Sequence, residues 1–217
     1  MNQKTIAQKI SEAKAASKKR NFPQTVDLII TLRDLNLKKP EEQLDIYVQL
    51  HQERGKKTKV CALIGRELKP KADGVFDKVI LDSEFDKLKT DPKKMKAIAK
   101  EHTYFVAQAN LMPRIAQNFG KLLGPRGKMP NPKAGCVVDL KTDLEDLYKR
   151  LQKLVRVSAK VQPHIQIAVG SEEMEDMKIA DNAFTIFDQV VHHLPRGDNN
   201  LGKTFVKLTM GPPVEVK

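Results

Sequence analysis

The chain has no tryptophan, and its other aromatic residues are few: three Tyr and eight Phe in 217 residues. Modules that read RNA by stacking bases on an aromatic sheet need exposed rings, so that mode is disfavoured, and any contact with a nucleic acid would have to rest on backbone shape, 2′-hydroxyls and phosphates. Cysteine is scarcer still. Cys61 and Cys136 cannot build a disulfide framework. Both lie in apolar, strand-like runs, which reads as burial of two small hydrophobic side chains. No Cys-x-x-Cys or His-x-x-x-His spacing occurs, so no metal is expected. His192 and His193 stand near a predicted helix end, where capping or solvation explains them. The Gly-x-Ser-x-Gly signature of a serine nucleophile is absent. No apolar run approaches the ~18 residues of a membrane span, and the N-terminus carries no apolar signal core. These absences predict a reducing, cytoplasmic location without a membrane partner.

Positive charge is what the chain has in excess. Lys and Arg number 39 against 27 Asp and Glu, a net charge of +12. The cations cluster, which favours contact with phosphates over a generically solvated surface. The most informative segment is Leu123-Gly124-Pro125-Arg126-Gly127-Lys128-Met129-Pro130-Asn131-Pro132-Lys133, where three cations alternate with Gly and Pro. Gly widens the backbone choices and Pro fixes them, which predicts a stiff loop holding Arg126, Lys128 and Lys133 in the open. It is not a nucleotide-binding P-loop. Six residues separate Gly120 from Gly127, Met129 follows the lysine, and the loop ends a helical pattern instead of opening one. No nucleotide or other cofactor is expected.

Hydrophobic periodicity divides the chain into three parts. Residues 5–19 read as an amphipathic helix, and 24–32 and 43–50 as strands. From about residue 58 strands alternate with helices: strands at 60–64, 75–81, 103–107 and 136–140, helices at 91–101, 110–123 and 143–155. Helix 91–101 carries Lys93, Lys94, Lys96 and Lys100, either a solvated basic face or an RNA contact. Beyond residue 155 the pattern reverts, with strands over 158–169 bent at Pro163, a helix within 174–194 and a strand at 203–210. Each flank is small for an independent core. The inference is an α/β protein of two domains: a split α+β domain (1–57 and 154–217), with one antiparallel sheet backed by two helices, and an inserted Rossmann-like α/β domain (58–153).

Three motifs occur in order: Asn21-Phe22-Pro23-Gln24-Thr25-Val26-Asp27; the run from Met112-Pro113-Arg114 through Gly120-Lys121-Leu122-Leu123-Gly124-Pro125-Arg126-Gly127-Lys128-Met129-Pro130-Asn131-Pro132; and Leu208-Thr209-Met210-Gly211-Pro212. In these the chain resembles the universal large-subunit ribosomal protein family of the L-one stalk, in its archaeal form. The resemblance implies the same split and inserted domains, and no enzymatic activity. It places the main ribosomal RNA contact on the terminal domain, at Glu12, Phe22, Thr25, Thr209, Met210 and Gly211. Gln166 joins them at a position where bacterial relatives carry His. It further implies a mobile arm that helps deacylated transfer RNA leave the exit site, with Arg126, Lys128 and Lys133 as contact candidates. Repression of the protein's own messenger RNA and a monomer off the ribosome are implied as well. For Thr209 the strand parity predicts an exposed hydroxyl free to pair with a ribose. The competing class is a nucleotide-dependent enzyme built on the small α/β domain.

Overall fold

A computed structural model describes residues 2–216. In chain order the helices are α1 (Gln3–Ala16), α2 (Lys69–Ala72), α3 (Phe85–Thr90), α4 (Pro92–Glu101), α5 (Met112–Leu123), α6 (Leu144–Lys153) and α7 (Asp176–His193). The strands are β1 (Thr25–Leu32), β2 (Leu44–Gln49), β3 (Val60–Ile64), β4 (Lys78–Leu81), β5 (Tyr104–Gln108), β6 (Val137–Val138), β7 (Leu154–Ala159), β8 (His164–Ser171), β9 (Leu201–Leu208) and β10 (Val214–Glu215). They form two compact units, residues 1–56 with 153–217, and residues 57–152.

The terminal unit is built on an antiparallel sheet of order β10-β9-β1-β8. Strand β1 shows why one face is dry. Val26, Leu28, Ile30 and Leu32 are buried, while Thr25, Asp27, Ile29 and Thr31 on the opposite parity stay partly open. This is the period of two that a half-buried strand requires. Helices α1 and α7 cover the buried face, α1 through Ile6, Ile10 and Ala13, and α7 through Ile179, Ala183, Ile186 and Val190. The other face of the sheet carries Asp27, Ile29, Gln166, Phe205 and Lys207.

One expectation fails here. The flanks do not share a single sheet: β2 pairs with β7 in a separate two-stranded ribbon. The helical pattern predicted over 143–155 stops at Lys153 and passes straight into β7. There Leu154, Val155, Val157 and Ala159 are buried and Arg156 points outward. An isolated ribbon is marginal in water, and a charge cluster reinforces this one. Arg156 donates to both Asp45 carboxylate oxygens (2.8 and 3.0 Å), and Lys160 lies 2.7 Å from the same carboxylate. These partners, Arg156 foremost, hold the Asp45 carboxyl below its ordinary range against the opposing effect of burial.

The inserted unit is a parallel sheet of order β4-β3-β5-β6. All five residues of β3 are buried, as expected of a strand covered on both faces. Cys61, Leu63, Phe105 and Ala107 share a core with Phe85, Met95, Ile98, Ile115 and Phe119 of helices α3 to α5. Burial pushes the Cys61 thiol up to about 12 and that of Cys136 to about 11, so neither is a ready nucleophile. Predicted strands 75–81 and 136–140 shorten to four and two residues. In the first case the Val75 and Phe76 N–H groups turn back to the Ala72 carbonyl. The architecture is the two-domain α/β fold expected, apart from the β2–β7 ribbon.

Candidate nucleic-acid interface

The first residue of β1 meets the turn after β9. In register, Val26 pairs with Leu208, which brings Thr209 beside Thr25. The Thr209 N–H donates to the Thr25 carbonyl (3.0 Å). The Thr25 N–H donates to the Thr209 hydroxyl oxygen (3.1 Å), and that hydroxyl donates to the Thr25 carbonyl (3.2 Å). Thr209 is exposed, but its hydroxyl is not free in the way strand parity predicts. The donor is spent on Thr25 because β9 ends at Leu208, and the side chain closes the ladder one step further. A hydroxyl oxygen has two lone pairs, so Thr209 keeps one acceptor for an outside partner.

Gln24 organises this end of the sheet. It is 1% exposed and falls on the buried parity of β1, in line with Val26 and Leu28. Its carboxamide oxygen accepts from the Met210 N–H (3.1 Å). Its amide nitrogen lies 3.3 Å from the Lys18 carbonyl and 3.4 Å from the Ser17 hydroxyl. One side chain therefore ties the end of α1, the start of β1 and the turn at 209–211. Gly211 completes the arrangement: its N–H donates to the Leu208 carbonyl (3.0 Å), and a Cβ there would stand 3.0 Å from the Ser17 hydroxyl. The resemblance does not single out Gln24 as a contact. A signal for it exists in the sequence, since a polar side chain on the buried parity of a strand needs internal partners.

Phe22 and Met210 bracket the hub with exposed apolar side chains, 49% and 59% accessible. Thus Phe22, Thr25, Thr209, Met210 and Gly211 gather at one sheet end. Gln166 does not join them: it pairs with Ile29, about 13 Å along β1 at ~3.3 Å per residue, and donates to the Asp27 carboxylate (3.3 Å). Glu12 lies on the exposed side of α1, held by Lys9 (2.8 Å). Three consecutive exposed cations, Lys18, Lys19 and Arg20, follow α1 into Phe22 and make no ion pair among the described residues. Helical periodicity puts Lys18 and Lys19 on a polar face and gives no sign of their position beside the hub. Lys14, by contrast, is engaged by Asp176 (2.6 Å) and the Met174 carbonyl (2.9 Å).

The Pro/Gly loop lies on the inserted unit. Gly127 takes φ of +63°, the left-handed turn that favours glycine. Arg126 and Lys133 are exposed, but Lys128 is not held in the open. Its ammonium donates to the Ala99 and His102 carbonyls (2.8 and 2.7 Å), capping the C-terminus of α4. Helix ends leave carbonyls without partners, and a cation there is favoured. Burial, followed by the nearby Arg126 charge, pushes the Lys128 pKa down. On α4 itself Lys93, Lys94, Lys96 and Lys100 are exposed, with Lys94 paired to Asp91 (3.2 Å). The turn after β3, where a dinucleotide-binding fold offers backbone N–H groups to phosphate, is engaged internally: the Gly65 N–H donates to the buried Gln108 side chain (2.8 Å).

The model of the Ribosomal protein L1p/L10e family matches residues 12–212. The chain belongs to this family. The match runs from Glu12 to Pro212 and so takes in both sides of the Gln24 hub. Relatives named large ribosomal subunit protein uL1 align almost end to end. That of Methanobrevibacter smithii is 40% identical over 212 residues, covering 97% of this chain and 98% of its own. That of Methanocaldococcus jannaschii is 36% identical over 217 residues, covering 100% and 97%. That of Nanoarchaeum equitans is 40% identical over 203 residues, covering 92% and 93%. L1p/L10e proteins are ribosomal components and not enzymes, and the nucleotide-dependent enzyme is set aside.

Proposed function

We propose that the chain is a structural constituent of the large ribosomal subunit, placed on the ribosome in the cytoplasm, whose terminal unit grips ribosomal RNA. The observation that carries this reading is the Gln24 hub. Gln24 holds Met210, and the Thr25–Thr209 and Gly211–Leu208 hydrogen bonds hold the rest of the turn beside it, with exposed Phe22 and the Lys18-Lys19-Arg20 cations alongside. A rigid end of this kind offers backbone, one hydroxyl acceptor and two apolar side chains to a fixed RNA shape, while the cations take phosphates. Gln166 and Glu12 extend the contact along the sheet and helix.

Neutralised phosphates release counterions, so log affinity for a stalk segment of large-subunit ribosomal RNA should fall linearly with log salt. Preference over random duplex RNA should survive at high salt, because packing and hydroxyl contacts are not screened. Filter binding over a salt series measures both. The protein's own leader transcript, added as competitor, should compete more weakly than ribosomal RNA, as repression by excess protein requires. Equal binding of stalk and random RNA at every salt concentration would contradict the proposal.

The inserted unit serves the moving arm in this reading, touching deacylated transfer RNA at the exit site. Of the three loop cations only Arg126 and Lys133 are free for that contact. Arg126→Glu with Lys133→Glu is expected to slow transfer RNA release in reconstituted ribosomes and to leave ribosomal RNA affinity within about twofold, since both residues belong to the inserted unit and the hub to the terminal one. Unchanged release kinetics would remove the loop from this role.

A further inference from the structure

A slot of about 420 Å³ opens in the inserted unit between α3, α4 and α5. Its floor is apolar, from Leu88, Met95, Phe119 and Leu122. Its size suits a single small ring system and is short for a peptide helix, which needs a groove several turns long.

The rim carries charge of one sign. Lys89 and Lys121 line it, and no carboxylate does. Both lysines are exposed and make no ion pair among the described residues. The nearby acids are engaged: Asp86 by Arg114 (3.2 Å) and Asp91 by Lys94 (3.2 Å). The occupant that fits is therefore anionic at its edges and apolar and flat at its centre.

Asn118, also at the slot, adds a polar reader. It donates to the Asp86 carboxylate at 3.4 Å. An ionised carboxylate only accepts, so the amide nitrogen must face Asp86. The Asn118 carbonyl oxygen is left as an acceptor, and it matches a base with an exocyclic amine. Adenine, cytosine and guanine have such an amine; hypoxanthine and uracil lack it and offer a ring N–H beside a carbonyl.

We propose that this slot binds one unstacked, amine-bearing nucleotide of an RNA, its base over the apolar floor and its phosphate between Lys89 and Lys121. Single-stranded bases are commonly recognised in this way, by an apolar platform beside cations. The proposal does not depend on the terminal unit's grip on ribosomal RNA, and mononucleotides test it separately.

The full chain with isotope-labelled methionine methyl groups is titrated with AMP, CMP, IMP and ribose 5-phosphate. AMP and CMP should move the Met95 methyl signal and leave those of Met177 and Met210 in place. IMP, which turns a carbonyl toward the Asn118 oxygen where AMP turns its amine, should bind about fivefold more weakly. Lys89→Glu with Lys121→Glu should weaken AMP about tenfold while stalk RNA affinity holds. Ribose 5-phosphate moving Met95 as strongly as AMP would overturn the base slot and leave a phosphate contact only. A Leu/Glu-rich acidic peptide that moves Met95 when AMP does not would show a protein partner instead. Movement of Met210 alone would also overturn the proposal.

Discussion

Gln24→Leu is expected to weaken binding of stalk ribosomal RNA by about 10- to 100-fold, the cost of losing a fixed geometry worth roughly 1.4–2.8 kcal/mol. Leucine matches the bulk of glutamine but makes none of its hydrogen bonds. The Met210 N–H loses its acceptor, and the Lys18 carbonyl its donor. Both stand around a side chain that is 1% exposed. A buried polar group without a partner costs about 1–3 kcal/mol, so the melting temperature should fall too. Binding is therefore measured far below the midpoint of the variant. There the surviving defect reports the turn at 209–211, released from α1 and free to sample other conformations. If Gln24→Leu lowers the melting temperature yet binds stalk RNA like the parent, the hub is structural only.

Thr209→Val should weaken the same RNA by about 5- to 20-fold, with a stability loss near 1 kcal/mol. Valine keeps the branched shape. It removes the acceptor of the Thr25 N–H and the donor to the Thr25 carbonyl. The Thr209 N–H bond to Thr25 survives, since it is backbone to backbone. The weaker binding therefore has two sources: the RNA no longer meets a hydroxyl acceptor, and the ladder end frays. Thr209→Ser separates the two. Serine restores the hydroxyl without the methyl group and should recover binding to within about threefold. A valine variant that binds normally, or a serine variant as weak as valine, would take the hydroxyl out of the account.

Short-range features were legible in the sequence. The alternation of β1, the five-residue apolar run of β3 and the long amphipathic α7 all follow from side-chain periodicity. Long-range pairings were not. Leu154 and Val155, the start of β7, read as a helix tail because they continue an apolar spacing. Only their pairing with β2, across more than a hundred residues, makes them a strand. Lys128 looks like a free loop cation because its acceptor, the His102 carbonyl, lies 26 residues upstream. Thr209 looks like a free hydroxyl because Thr25 is 184 residues away.

Gln24 is the instructive case. The motif Asn21 to Asp27 contains it, and the parity of β1 turns it inward. Reading the motif as a set of surface contacts passes over the residue that holds those contacts in place. Buried polar residues on the core parity of a strand are worth tracing before the exposed ones.

Specific recognition of stalk ribosomal RNA, on this account, belongs to the terminal unit. The direct measurement uses a chain that joins residue 56 to residue 153 through a short Gly/Ser linker. This keeps the Leu50 N–H bond to the Lys153 carbonyl (2.9 Å) and the Lys153 ammonium bond to the His51 carbonyl (3.0 Å). Circular dichroism and a cooperative melt establish that it folds. Filter binding then compares it with the full chain on stalk and random duplex RNA over a salt series. The expected result is stalk RNA affinity within about threefold of the full chain and an unchanged salt slope, because the phosphate contacts that set the slope lie on this unit. A folded terminal unit that binds stalk RNA no better than random duplex RNA would contradict it.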